Sequence, residues 1–181
     1  MKPRLSLGVC ILISLALVIF GLFYGTACGF QEDRVQVEAI LSGDEGLLNV
    51  LYFRGADGLN LCVVARRHLG KEDATISTLE TAAKALRSPS NTLPEKKRQD
   101  DQLSADVTVL SKKLSETPSF VQSARDKAYL DMLLTDMYQL SQSPLLDAYN
   151  EAAKGFNRQL HAPLSGTIAR FLRVKPCELY Q

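Results

Sequence analysis

The sequence predicts an all-α protein: an N-terminal transmembrane helix followed by an elongated antiparallel bundle of three to four helices. Three observations lead there. A run of twenty residues near the N-terminus carries no charge. Beyond it, apolar residues recur at helical spacing, and no stretch between 30 and 181 shows the alternation of a half-buried strand. Prolines and small polar residues punctuate those segments, as loops between helices do. The chain accordingly divides into a membrane anchor, residues 1–29, and a helical domain, residues 30–181.

The uncharged run extends from Leu5 to Tyr24, with Leu12 and Leu17 along its length. At about 1.5 Å rise per residue such a helix crosses a hydrocarbon core roughly 30 Å thick. Lys2 and Arg4 precede it. Positive flanking charge stays on the cytoplasmic side, so the N-terminus is expected inside and the domain at the extracytoplasmic face of the cell membrane. A cleaved signal peptide is the rival reading. Gly25-Thr26-Ala27 supplies small residues, and Cys28 directly after them resembles the lipidated cysteine of a bacterial lipoprotein. Gly25, however, stands where such signals usually carry Leu, and the run exceeds the roughly 7–15 apolar residues of a signal core. Length favours the uncleaved anchor, and either reading leaves the protein at a membrane.

Charge narrows the partners. The net charge is +1, and once Lys2 and Arg4 are set aside 19 basic residues face 20 acidic ones. Phosphate binding needs a concentrated basic face, so nucleic acid is excluded as a partner. The four cysteines, at 10, 28, 62 and 177, lack the close paired spacing of a zinc site or disulfide framework. They read as unpaired small hydrophobes. A single 62–177 bridge stays open if the domain faces an oxidising compartment.

The helical domain reads in order. From Asp33 to Leu69 the apolar pattern is interrupted by Gly43, Gly46, Gly55 and Gly58. Each costs about 1 kcal/mol relative to Ala inside a helix, so a break near Ser42-Gly43 is expected. A second stretch runs from Lys71 to Leu86, with Ile76, Leu79, Ala82, Ala83 and Leu86 on one face. Ser88 to Pro94 is a loop. Glu95 to Glu116 forms a third helix with Leu103, Val107, Leu110 and Leu114 inward, and its opening charge run, Glu95 to Asp101, reads as a solvated face. The longest helix is expected after Pro118, with Leu130, Leu133, Met137, Leu145, Phe156 and Leu160 in its stripe. Pro144 should kink or divide it. Pro163 ends it, and a short segment, Leu164 to Leu172, precedes an extended tail.

The C-terminal stretch carries a resemblance. Tyr149-Asn150 is followed seven residues on by Phe156-Asn157, then by Ala169-Arg170, Lys175-Pro176 and Tyr180. This pattern resembles the closing signature of the LemA family of bacterial membrane proteins. Upstream, Val50 to Asp57 with Asn60-Leu61 is similar to that family's Arg-Arg-Ala-Asp-Leu-x-Pro-Asn-Leu segment. Gly55 replaces the second Arg, the Pro is missing, and one residue must be gapped to align Asn60. The chain also lacks the Trp common in the family. The likeness covers roughly residues 33–180, tightly after 129 and loosely before 70, as in a divergent member. It implies a membrane helix followed by an antiparallel helical domain, without an assigned reaction.

No residue pattern points to catalysis, and no cofactor or metal site is expected. His68 and His161 are the two histidines; His68 reads as exposed, and His161 sits at a helix C-terminus, where a cation is favoured. Neither has Cys, Asp or Glu at ligand spacing. The polar residues of the family pattern, Asp57, Asn60, Tyr149, Asn150, Asn157, Lys175 and Pro176, are the candidate structural or partner-binding positions. Asn150 and Asn157 lie two turns apart near one helix face. They are expected to fix helix register, with Asp57 and Asn60 as partners, in preference to lining a ligand site. Leu164 to Lys175 mixes apolar and basic residues, and reads either as a cap on the bundle or as a segment lying on an anionic membrane surface. The reading reached is a membrane-anchored scaffold that binds a lipid bilayer and an unidentified protein partner. A ligand-binding lipoprotein or sensor module is the alternative.

Overall fold

A computed structural model of the chain describes residues 6–70 and 72–181. Leu5 of the expected anchor, Lys2 and Arg4 of the orientation argument, and Lys71, the expected start of the second stretch, lie outside the described residues. Among the described residues all regular structure is helical.

Helix α1 spans Leu7–Ser42 and is, at 36 residues, the longest element. The expectation that the longest helix follows Pro118 is therefore corrected. Nothing between Leu7 and Ser42 breaks α1, so it continues through residue 29. It stops where Gly43 and Gly46 allow a tight turn. Gly46 donates to the Gly43 carbonyl at 2.8 Å. A Cβ on Gly46 would fall 2.7 Å from the Leu41 carbonyl oxygen, so only glycine fits there.

Helix α2, Leu47–His68, keeps Gly55 and Gly58 in its interior. Their propensity cost is offset by close packing. A Cβ on Gly55 would lie 2.6 Å from the Ala83 carbonyl oxygen, and one on Gly58 would lie 3.0 Å from Leu103 Cδ1. These glycines are where α3, Ala74–Arg87, and α4, Leu93–Ser115, approach α2.

Side-chain caps set the helix starts. Asp73 accepts the Thr75 N–H at 2.8 Å to open α3. Thr92 and Glu95 form a reciprocal capping box at α4. Pro94 thus sits in the first turn of α4, where its missing N–H is harmless, rather than in the expected loop. The stripe expected after Pro118 is three helices: α5, Pro118–Val121; α6, Ala124–Ser141; and α7, Leu145–Gln159. The break between α6 and α7 falls at Pro144, which has no N–H to donate and whose ring clashes with the preceding turn of a helix. Helix α8, Ser165–Phe171, precedes a tail without regular secondary structure.

The chain forms two compact units. One comprises residues 1–38 and 152–177. There Phe30 meets Phe156 edge to face at 6.3 Å between ring centres, and the Arg34 guanidinium lies 5.9 Å from the centre of the Phe156 ring. Phe23 and Phe171 make a second edge contact at 5.7 Å. The apolar stretch of α1 is a candidate membrane span by length and composition, and no part of it is buried.

The other unit comprises residues 39–151 and 178–181. Its core is built from Leu47, Leu51 and Leu61 of α2, Ile76, Leu79 and Leu86 of α3, Leu103, Leu110 and Leu114 of α4, and Leu133 of α6. Helix α2 contacts α3, α4 and α6. Helices α2 and α6 run in opposite directions, since Arg54 reaches Met137 while Arg67 reaches Asp126.

Candidate functional site

The polar residues of the C-terminal pattern are engaged by the tail. In one unit, Asn157 donates to the Cys177 carbonyl at 2.8 Å and accepts the Cys177 N–H at 2.7 Å. Arg34 donates to the Lys175 carbonyl at 3.3 Å, while Lys175 and Pro176 themselves stay exposed. In the other unit, Asn150 repeats the two-bond clasp on Tyr180, both bonds 2.9 Å, and the Tyr149 hydroxyl donates to the Glu178 carbonyl at 2.7 Å. An asparagine side chain presents a donor and an acceptor in one plane, which matches one residue of extended backbone. The partners of Asn150 and Asn157 are therefore backbone groups of the tail. This corrects the expected pairing with Asp57 and Asn60.

Tyr180 leads into a buried ionic cluster. Its hydroxyl donates to Asp100 Oδ2 at 2.8 Å, and Arg54 Nε donates to Asp100 Oδ1 at 2.6 Å. Arg54 also donates to the Met137 carbonyl at 2.7 Å and to the Ser104 hydroxyl at 2.9 Å. Burial and the adjacent Asp100 carboxylate push the Tyr180 phenol well above its ordinary range. Each nitrogen of the guanidinium finds an acceptor, as a charge this deeply buried requires.

The charge run opening α4 is thus not a uniformly solvated face. Asp100 points inward, and so does Lys96, whose Nζ donates to the Leu86 and Ser88 carbonyls at 2.6 Å each, closing the end of α3. Burial pushes the Lys96 amine down. The signal lay in the spacing: 96, 100, 103, 107, 110 and 114 make one continuous stripe of steps four and three.

His68 is not the exposed residue expected. Its side chain is 8% exposed, and its ring meets Phe120 edge on at 5.3 Å. Nδ1 lies 3.1 Å from the Ser119 hydroxyl and Nε2 lies 2.9 Å from Asp126 Oδ2. Asp126 Oδ1 accepts from Arg67 at 3.0 Å. The hydrogen bond from His68, with help from Ser123 and Arg67, holds the Asp126 carboxyl below the usual carboxylate range. Ser, His and Asp in series match a nucleophilic triad in composition. Here Arg67 shares the carboxylate, and Ser119 sits exposed on the one-turn helix α5. The arrangement ties α2, α5 and α6 together.

Asp57 and Asn60 stand three residues apart on α2. Burial and the neighbouring Asp136 push the Asp57 carboxyl up. Both residues line grooves along the α2/α6 seam. One groove, about 520 Å³, is bounded by Phe53, Asp57, Asp136 and Leu140; the other, about 600 Å³, by Asn60, Val63, Arg67, Arg125, Tyr129 and Met132.

All four cysteines are free thiols. Burial pushes Cys62 up to about 11, so its nucleophilic thiolate is scarce at neutral pH. Among the described residues no three His, Cys, Asp or Glu side chains gather as a metal site would require. No family model, no curated protein and no solved structure matches this chain.

Proposed function

We propose that the protein is a membrane-anchored helical scaffold of the LemA type, held by α1 at the extracytoplasmic face of a bacterial membrane and presenting helix surfaces to a protein partner. The observation that carries the reading is the apolar stretch of α1, none of which is buried within the protein. An uncharged run of that length exposed to water would be strongly unfavourable, and lipid is the solvent that relieves it. In this reading α2, α3, α4 and α6 form the antiparallel bundle, joined through short loops.

The LemA-type assignment is supported by the mutual engagement of its pattern residues. Asn150 clasps Tyr180, and Asn157 clasps the residue after Lys175-Pro176. The same bonds weigh against a ligand-binding module, because both amides are already occupied by backbone. Absence of an enzymatic reaction is part of the proposal.

Alkaline carbonate extraction of membranes from expressing cells tests the anchor. Retention in the membrane pellet, with an intact mass that includes residues 1–29, is the expected result. Release into the supernatant sinks the reading, and a mass beginning at a lipidated Cys28 replaces the helix anchor by a lipoprotein one.

A further inference from the structure

The two grooves lie end to end along the α2/α6 seam. On α2 their lining steps through Phe53, Asp57, Asn60, Val63 and Arg67; on α6 it steps through Arg125, Tyr129, Met132, Asp136 and Leu140. Steps of three and four keep each series on one helix face. From Phe53 to Arg67 the face is about 21 Å long at 1.5 Å per residue. Large apolar side chains stand open along it: Phe53 and Val63 are each 50% exposed and Met132 48%.

Charge is sorted to the two ends. Asp57 and Asp136 share one end, close enough for Asp136 to push the Asp57 carboxyl up. Arg67 and Arg125 share the other. Asp126 also lines that end, but it is answered by Arg67 and His68. The lining carries no Lys or Glu, and it includes the Phe, Tyr, Met and Arg that interfaces favour, beside the acidic Asp57, Asp126 and Asp136.

A face with carboxylates at one end, guanidiniums at the other and apolar side chains between is complementary to itself when turned by a two-fold rotation. The rotation brings Asp57 and Asp136 of one copy against Arg67 and Arg125 of the next, and the reverse contact forms at the far end. Val63, Tyr129 and Met132 then lie near the axis. We propose that the α2/α6 face binds a second copy of this chain, forming a symmetric dimer. The inference deepens the scaffold function by naming its partner, and rests on that reading for the shared membrane that raises the effective concentration of the copies.

The test is sedimentation equilibrium of the full chain in detergent, comparing wild type with Asp136→Lys and Arg125→Glu. Both positions are exposed on α6, and circular dichroism checks that the helices remain. Wild type is expected to dimerise, and each reversal alone to weaken the dimer by at least about tenfold, since it sets like charges together at both ends. Mixing the two variants sets the lysine introduced in one against the glutamate introduced in the other at one end, and leaves native partners facing at the other end. The mixture is therefore expected to recover a heterodimer within roughly threefold of wild type. Raising salt should weaken the wild-type dimer without any substitution, which keeps the idea testable if a variant unfolds. A monomeric wild type overturns the proposal, as does a dimer indifferent to both reversals and to salt, or a mixture that stays monomeric. A monomer that still pellets with membranes leaves the anchored scaffold standing; release on carbonate extraction removes that reading instead.

Discussion

Asn150 and Tyr180 exchange two hydrogen bonds, each 2.9 Å, side-chain amide against backbone peptide. The pair fixes the end of the chain's path, so that the Tyr180 ring enters the protein and its hydroxyl meets Asp100.

Replacing Asn150 by Ala strips partners from the N–H and the carbonyl of Tyr180. Two half-buried backbone bonds lost together are expected to cost about 2 kcal/mol. Urea unfolding checks this, with an unchanged midpoint counting against the clasp. Asn150→Asp keeps the acceptor but sets a carboxylate against the Tyr180 carbonyl, so it should not rescue stability.

Arg54→Met leaves Asp100 with a buried carboxylate and only the Tyr180 hydroxyl to answer it. Breaking a buried pair from one side is expected to cost about 3–5 kcal/mol. Arg54→Met combined with Asp100→Leu should lose less than the sum of the single changes, because neither charge is then stranded. A double-mutant cycle that closes additively would show that Arg54 and Asp100 do not depend on each other.

Stability should fall at both extremes of pH, through different groups. The Asp126 and Asp73 carboxyls are held below their ordinary value, chiefly by hydrogen bonds from His68 and Lys113 respectively. Their contribution is present above the unfolded carboxylate pKa of 3.8 and is lost as pH falls through the depressed folded values. The Tyr180 phenol is raised, so its contribution holds below its ordinary value of 10.0 and is lost as pH climbs beyond it. Thermal melts across pH should therefore show an acid limb that Asp126→Asn flattens and an alkaline limb that Tyr180→Phe flattens. Limbs that survive those substitutions would point to other groups.

Two glycines inside helices should respond oppositely to alanine. Around Gly155 of α7 nothing lies within 4 Å of a new Cβ, so Gly155→Ala is expected to stabilise by up to about 1 kcal/mol through helix propensity. At Gly55 the new Cβ would meet the Ala83 carbonyl oxygen at 2.6 Å, and backbone cannot yield as a side chain can. Gly55→Ala is expected to force α2 and α3 apart, at a cost of about 1–3 kcal/mol. Melting temperatures moving the same way for both would refute the close crossing.

The break at Ser42-Gly43, the division at Pro144 and the inward faces of α3 and α4 are legible in the sequence because each depends on residues a few positions apart. Ile76, Leu79, Ala82, Ala83 and Leu86 share one face by their spacing, and all five are buried. Helix α4 starts at Leu93 rather than at Glu95, because Pro94, which reads as a loop signal, becomes a first-turn residue beside the Thr92 and Glu95 cap.

What this sequence determines alone is local: helical class, the uncharged run, and which stripe of each helix is apolar. Tertiary structure decided the partners. Asn150 meets Tyr180 from 30 positions away, His68 meets Asp126 from 58, and Tyr180 meets Asp100 from 80. Periodicity says which face of a helix turns inward, but it carries no information about which other face it will find. Polar residues at the end of an apolar stripe look solvated until a distant charge or peptide group arrives to satisfy them. That pairing is settled only when the helices pack, because a buried polar group is tolerated solely where its partner stands.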